Sequence, residues 1–222
     1  MSSTEYLKKS KTNHLLYPLD KVLVDKLQPT VPGFLQTYHL TLLTIIWSFL
    51  VIIVSYVFGD SRFVYLLIAI LVILQYLTDL LDGAVGRARN TGLVLWGFFM
   101  DHFLDYVFLH SLGIGYFIIF PKSLDLYVAV IVILISFMFQ AVMMRAITMK
   151  QFNISTQGIP ATEIRLLLVI INIVFFTTGM YFAQFLLMIA VATCAVGIFA
   201  YIFDSHKLLW ELDMKNKRKK EN

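Results

Sequence analysis

Apolar residues occupy this chain in long blocks separated by short polar breaks, and the block lengths predict its architecture. Tyr38 to Phe58 is an uncharged run of twenty-one residues, enough for one helix to cross a bilayer. Gly59-Asp60-Ser61-Arg62 reads as a turn. Phe63 to Thr78 is apolar, short for a crossing, and runs straight into Asp79. A second helix is therefore expected to continue through Asp82, with 83–92 as the turn after it. Leu93 to Phe120 reads as a third helix, Pro121 to Asp125 as a turn, and Leu126 to Met144 as a fourth span. Arg145 to Arg165 is a longer connection. Leu166 to Phe203 runs thirty-eight residues without a charge, too long for one crossing, so a turn at Gly179 to Gln184 is expected to divide it into two helices.

The N-terminal end is patterned differently. Residues 1–14 are polar and basic, with Lys8, Lys9 and Lys11. From Leu15 to Gln28, Leu16, Leu19, Leu23 and Leu27 recur at helical spacing, with Asp20, Lys21, Asp25 and Lys26 elsewhere around the wheel. This predicts an amphipathic helix along the membrane surface, ended by Pro29 and Pro32-Gly33. The fold class expected is an all-α integral membrane protein, with six transmembrane helices preceded by that interfacial helix. Its parts would be an N-terminal segment (1–35), a six-helix membrane domain (36–204) and a basic tail (205–222).

Composition excludes a soluble domain. Of 222 residues, 59% are hydrophobic and 14% charged, against roughly a quarter charged in globular proteins. The single cysteine, Cys194, lies in an apolar run and rules out an internal disulfide. No cleavable signal peptide is visible, and nucleic acid is not an expected partner. The net charge of +4 matters through its placement. With six crossings, the N-terminal segment, Arg87 and Arg89, the Arg145–Lys150–Arg165 loop and the basic tail share one side, leaving Arg62 and Lys122 opposite. The positive-inside rule makes the basic side cytosolic, both termini included. Asn153-Ile154-Ser155 matches a glycosylation acceptor, but a cytosolic loop receives no sugar.

Four aspartates interrupt this apolar setting. Asp79 and Asp82 are three residues apart, Asp101 and Asp105 four, so each pair shares a helix face. Ionised carboxylates in such surroundings are costly unless something positive meets them. Two pairs facing each other across a short turn make an all-oxygen site suited to hard divalent cations. Along the third helix, Asp101 would lie roughly 12 Å and Asp105 roughly 18 Å from Leu93, a recessed site near the headgroup boundary.

The segment from Asp79 to Asp105 resembles the signature of the CDP-alcohol phosphotransferases, integral membrane enzymes of phospholipid synthesis. Asp79, Asp82-Gly83, Arg87, Gly97, Asp101 and Asp105 fill the family positions. Gly86 stands where the family usually has Ala, and nine residues rather than eight separate Arg87 from Gly97. Ala88-Arg89 offers the Ala-Arg pair shifted by two, so Arg87 and Arg89 both remain candidates, with the spacing from Asp82-Gly83 favouring Arg87.

The resemblance implies transfer of a phosphoalcohol or phosphatidyl group from a CDP-linked donor to a hydroxyl acceptor, with release of CMP. It implies Asp79, Asp82, Asp101 and Asp105 as ligands for two ions, Mg²⁺ or Mn²⁺, and Asp105 as general base. Gly83, Arg87 and Gly97 would meet the donor, the glycines leaving room and Arg87 pairing with a phosphate oxygen. A homodimer is implied as well. The donor is either CDP-diacylglycerol, accepted by a polar alcohol, or CDP-choline or CDP-ethanolamine, accepted by diacylglycerol. Asp101-His102 leans to the second and the short chain to the first.

Other residues have plainer readings. His102 points about 100° from the aspartate face, His110 reads as a packing or hydrogen-bonding residue, and Gly113 and Gly115 suit helix packing. Thr41 and Thr44 lie where the family's first helix nears the nucleotide, without its usual Asn. Arg145, Lys150 and Arg165 are expected to anchor to anionic headgroups rather than hold an acceptor phosphate. A cation transporter using the aspartates as an ion path is the rival reading; it would place carboxylates near mid-bilayer and repeat a half-structure, and neither is apparent.

Overall fold

A computed structural model describes residues 16–149 and 161–221. Lys8, Lys9, Lys11, Lys150 and the Asn153-Ile154-Ser155 triplet lie outside the described residues. Those described are helical, without strands: α1 Tyr17–Leu27, α2 Thr37–Phe58, α3 Phe63–Ala88, α4 Val94–Ile119, α5 Asp125–Met149, α6 Ala161–Thr178 and α7 Ala183–Glu221. Single 3-10 turns at Gln28–Thr30 and Lys122–Leu124 follow α1 and lead into α5.

Among the described residues, five helices are long and apolar enough to cross a membrane: α2, α3, α4, α5 with its leading turn, and α7. This is the multi-pass helical protein the block pattern predicts, with one difference. The helix expected as the fifth crossing, α6, has 18 residues and opens with Glu163 and Arg165, which shortens its apolar length. Several boundaries also move. The second helix continues through Gly83 and Gly86 to Ala88, so the turn expected at 83–92 occupies only its last part. Helices α5 and α6 reach into the expected 145–165 connection. The basic tail is the end of α7 itself.

The end of α3 explains the first of these shifts. Thr91 N–H donates to Gly86 O and Asn90 N–H to Arg87 O, the paired bonds of a Schellman close. Asn90 takes the left-handed conformation that close requires (φ 49°), and Gly92 follows at φ 70°. Asparagine tolerates this region better than other residues with a Cβ, so the helix stops there rather than at Gly83.

Two compact units are present. Among the described residues, the larger comprises 16–128 and 161–185. Within it α2 packs along both α3 and α4, while α6 and α1 pack on α3. The buried face of α2 is built from Thr37, Leu40, Thr41, Thr44, Ser48, Val51 and Ser55. Ser48 donates to Thr44 O at 2.8 Å. Small hydroxyl-bearing side chains leave a smooth, narrow face, which permits close helix approach without a hydrophobic driving force. The approach is tight: a Cβ on Gly115 would sit 2.7 Å from Ser55 Oγ, and one on Gly86 3.1 Å from Thr37 Oγ1. The packing role read for Gly115 is thus met. At the other end of the unit, Tyr65, Phe120 and Phe175 form a buried aromatic cluster with ring centroids 5.4–6.4 Å apart.

Helix α1 carries a contact that its apolar spacing does not announce. Asp20 is its buried residue, while Tyr17, Leu19 and Val22 are exposed. Tyr76 of α3 donates to Asp20 Oδ1, and Thr162 of α6 to Asp20 Oδ2 at 3.1 Å. Leu16 N–H donates to Glu163 Oε1 at 3.3 Å. A buried carboxylate needs such donors, and here neighbouring helices supply two of them, a feature that spacing within α1 does not reveal.

Among the described residues, the second unit comprises 129–149 and 186–221. There Arg145 of α5 donates to Ser205 Oγ of α7 at 3.1 Å and stands over the Tyr201 ring, 5.3 Å from its centroid. Expected as a headgroup anchor, Arg145 joins two helices.

Candidate metal centre

Asp79 and Asp82 lie in the C-terminal half of α3, and Asp101 and Asp105 lie two to three turns into α4. One carboxylate oxygen from each of Asp79, Asp101 and Asp105 falls within a set whose members are all within 4.8 Å of one another. Asp82 is turned elsewhere: it is buried, and Thr41 Oγ1 of α2 donates to its Oδ2 at 2.7 Å. Residues three apart on a helix diverge by about 60°, enough for one to face α4 and α6 while the other faces α2. Three of the four predicted carboxylates therefore gather closely, with the fourth held beside them by a threonine hydroxyl.

Two further residues complete the cluster. Arg165 of α6 donates through Nη1 to Asp79 Oδ2 and through Nη2 to Asp105 Oδ1, both at 2.7 Å. Its side chain is 12% exposed, so this fork bridges α3 and α4 largely out of water. Gln75, fully buried on α3, donates through Nε2 to the same Asp105 Oδ1 at 2.9 Å. Arg165 was expected to anchor lipid headgroups; the structure turns it inward instead. A clue was available, since a lone cation heading an apolar helix is costly without a carboxylate partner. Gln75 is the corresponding amide in the apolar run before Asp79, one turn away, and the sequence reading passed over it.

Among the other candidates, Arg87 is exposed and its Nη1 lies 3.1 Å from where a Cβ on Gly83 would stand. Arg89 is committed to the backbone, donating to Leu35 O at 2.6 Å, Val31 O at 2.8 Å and Pro32 O at 3.2 Å. It thereby fixes the segment leading into α2. Gly97 faces open space, with nothing within 4 Å of an added Cβ. His102 and His110 each set Nδ1 against a carbonyl one turn back, Phe98 O at 2.7 Å and Tyr106 O at 2.8 Å. His102 Nδ1 is also 4.0 Å from Asp101 Oδ2.

This donor set fits a divalent cation. It is all oxygen, the preference of Mg²⁺ and Mn²⁺. When ionised, three carboxylates against a single guanidinium leave two negative charges in excess, the charge of one such ion. Carboxylates crowded in apolar surroundings are stabilised by the cation that meets them.

A helical multi-pass membrane protein with an acidic cluster between two of its spans is the class that fold and site define. A family model described as CDP-alcohol phosphatidyltransferase matches residues 34–198, from the approach to α2 into α7. The chain belongs to the CDP-alcohol phosphatidyltransferase family. No curated protein and no solved structure matches it.

Proposed function

We propose that this protein transfers a phosphoalcohol or phosphatidyl group from a CDP-linked donor to the hydroxyl of an alcohol or lipid acceptor, releasing CMP. The observation that carries the reading is the meeting of Asp79, Asp101 and Asp105 oxygens within 4.8 Å, from two helices inside the region matched by the family. Asp79, Asp101 and Asp105 would hold the divalent ions, Mg²⁺ or Mn²⁺, with Asp82 contributing the oxygen that Thr41 does not engage. Bound there, such ions would offset the charge of the donor diphosphate and of the departing CMP.

The protein's own residues do the rest. Asp105 would take the acceptor's hydroxyl proton through Oδ2, since Oδ1 accepts from Gln75 and Arg165. Arg87, exposed beside Gly83, is the arginine with a free fork for a phosphate oxygen, whereas Arg89 is spent on backbone carbonyls. The open face at Gly97, one turn before Asp101, leaves room for the donor. Six crossings, with α6 as the short one, and an interfacial α1 belong to this reading; the charge placement then puts both termini and the aspartates on the cytosolic side. Purified protein incubated with CDP-diacylglycerol, CDP-choline or CDP-ethanolamine and their acceptors, with and without Mg²⁺ or Mn²⁺, tests the reading. Metal-dependent CMP release is expected with one donor class; absence of release with every donor and metal overturns it.

A further inference from the structure

Gln75 is the one amide in the apolar part of α3, and it is completely buried. It precedes Asp79 by one helical turn on the same face. While Nε2–H donates to Asp105 Oδ1 at 2.9 Å, Oε1 is buried and has no hydrogen-bond partner. A buried acceptor left without a donor is destabilising, because it gives up its water and gains nothing in return. Turning the amide over recovers nothing, because Oε1 would then face a carboxylate oxygen that only accepts. An aliphatic side chain would fill this space without the cost. What the glutamine adds is one donor, fixed on Asp105.

The same oxygen takes a second donor from a third helix, Arg165 Nη2 at 2.7 Å. Two donors on Oδ1 fix the rotation of the carboxylate. They also leave Oδ2 as the oxygen with no donor among the described residues. Arg165 cannot set this geometry alone, since its fork also holds Asp79 and moves with α6. Gln75 sits on the helix that carries Asp79, so it ties Asp105 to the frame of its neighbouring ligand.

We infer that Gln75 is a positioning residue, holding Asp105 by Oδ1 so that Oδ2 is presented to the divalent ion and the acceptor hydroxyl. The inference rests on the reading of Asp105 as ligand and base. Groups that orient a metal ligand from behind typically matter about 10–100-fold in metal affinity or activity.

Gln75→Met keeps the length and approximate volume of the side chain while removing both the donor and the orphaned acceptor. Mn²⁺ affinity of the full chain in detergent, read from the free-Mn²⁺ electron paramagnetic resonance signal, is measured alongside thermal unfolding and CMP release. The expected result is a roughly 10-fold weaker Mn²⁺ affinity, no loss of thermal stability, and a fall in kcat larger than any change in KM for the donor. A folded Q75M protein that binds Mn²⁺ as wild type does overturns the inference and leaves the phosphotransferase reading standing. Wild-type protein that binds no Mn²⁺ or Mg²⁺ overturns the metal reading, and this inference with it. Should Q75M not fold, Gln75→Asn, whose amide is retracted by one methylene, is judged by the same criteria.

Discussion

Arg165 Nη1 and Asp79 Oδ2 meet at 2.7 Å, joining the second turn of α6 to the C-terminal half of α3. The other arm of the fork reaches Asp105, so one guanidinium links three helices at the acidic cluster. Removing one partner of a buried pair leaves the other uncompensated, at about 3–5 kcal/mol. Arg165→Met is expected to lower stability by about 3 kcal/mol. Added Mn²⁺ should raise its melting temperature more than that of wild type, since the ion then becomes the main positive charge in the cluster. Thermal unfolding with and without the ion measures both.

Asp105 carries the proton transfer in the proposed reaction. Asp105→Asn keeps the size and the hydrogen-bonding reach but cannot act as a base at neutral pH. CMP release should fall by at least about 100-fold, with the melting temperature little changed. Turnover near the wild-type rate would exclude the role.

Thr41 presents its hydroxyl to Asp82 at 2.7 Å in a buried setting. Thr41→Val preserves the shape and leaves Asp82 Oδ2 short of that donor, a loss of about 1–3 kcal/mol. Reduced thermal stability is expected, and Asp82→Asn in the same background should recover part of it by removing the charge that needs the donor.

Arg87 and Arg89 should separate cleanly. Arg87→Ala is expected to raise KM for the CDP donor while leaving the melting temperature unchanged, because its guanidinium holds no other part of the protein among the described residues. Arg89→Ala should do the reverse, loosening residues 31–35 and lowering the melting temperature through loss of its carbonyl bonds. Steady-state kinetics and thermal melts on both variants test the division.

Gly115 lies where α4 packs tightly against α2. Gly115→Ala places a methyl 2.7 Å from Ser55 Oγ and 3.2 Å from Val51 Cγ1, so the helices must part slightly. Overpacking of this kind costs about 1–3 kcal/mol. Ser55→Ala combined with it should recover part of the loss by removing the nearer atom, as a double-mutant cycle would register.

Much of this was legible from residue types and their spacing. An uncharged run of bilayer length located α2, and an apolar run broken only by Asp101 and Asp105 located α4, each to within a residue, because membrane-spanning helices need little beyond length and hydropathy. Asp79, Asp101 and Asp105 stood out because ionisable groups in apolar helices are so unfavourable. Less was legible where the deciding partner is distant along the chain. Asp82 is claimed by Thr41, forty-one residues away, and Asp20 by Tyr76 and Thr162, fifty-six and 142 residues away. Arg165 reads as a surface anchor until α6 is packed on α3. The stop of α3 at Asn90 rather than Gly83 turned on a left-handed asparagine, a weaker signal than the two glycines before it.

Helix α7 runs unbroken from Ala183 to Glu221, 39 residues. At about 1.5 Å per residue that is roughly 58 Å, close to twice the thickness of a hydrocarbon core. Its surplus length holds Lys215, Lys217 and Arg218 in register on a stiff post instead of a slack tether. A post has a fixed reach, so these cations would meet an anionic surface or partner at a set height. Shortening α7 by whole turns would lower that height in steps of about 5.4 Å, whereas trimming a slack tether would leave a broad range of heights.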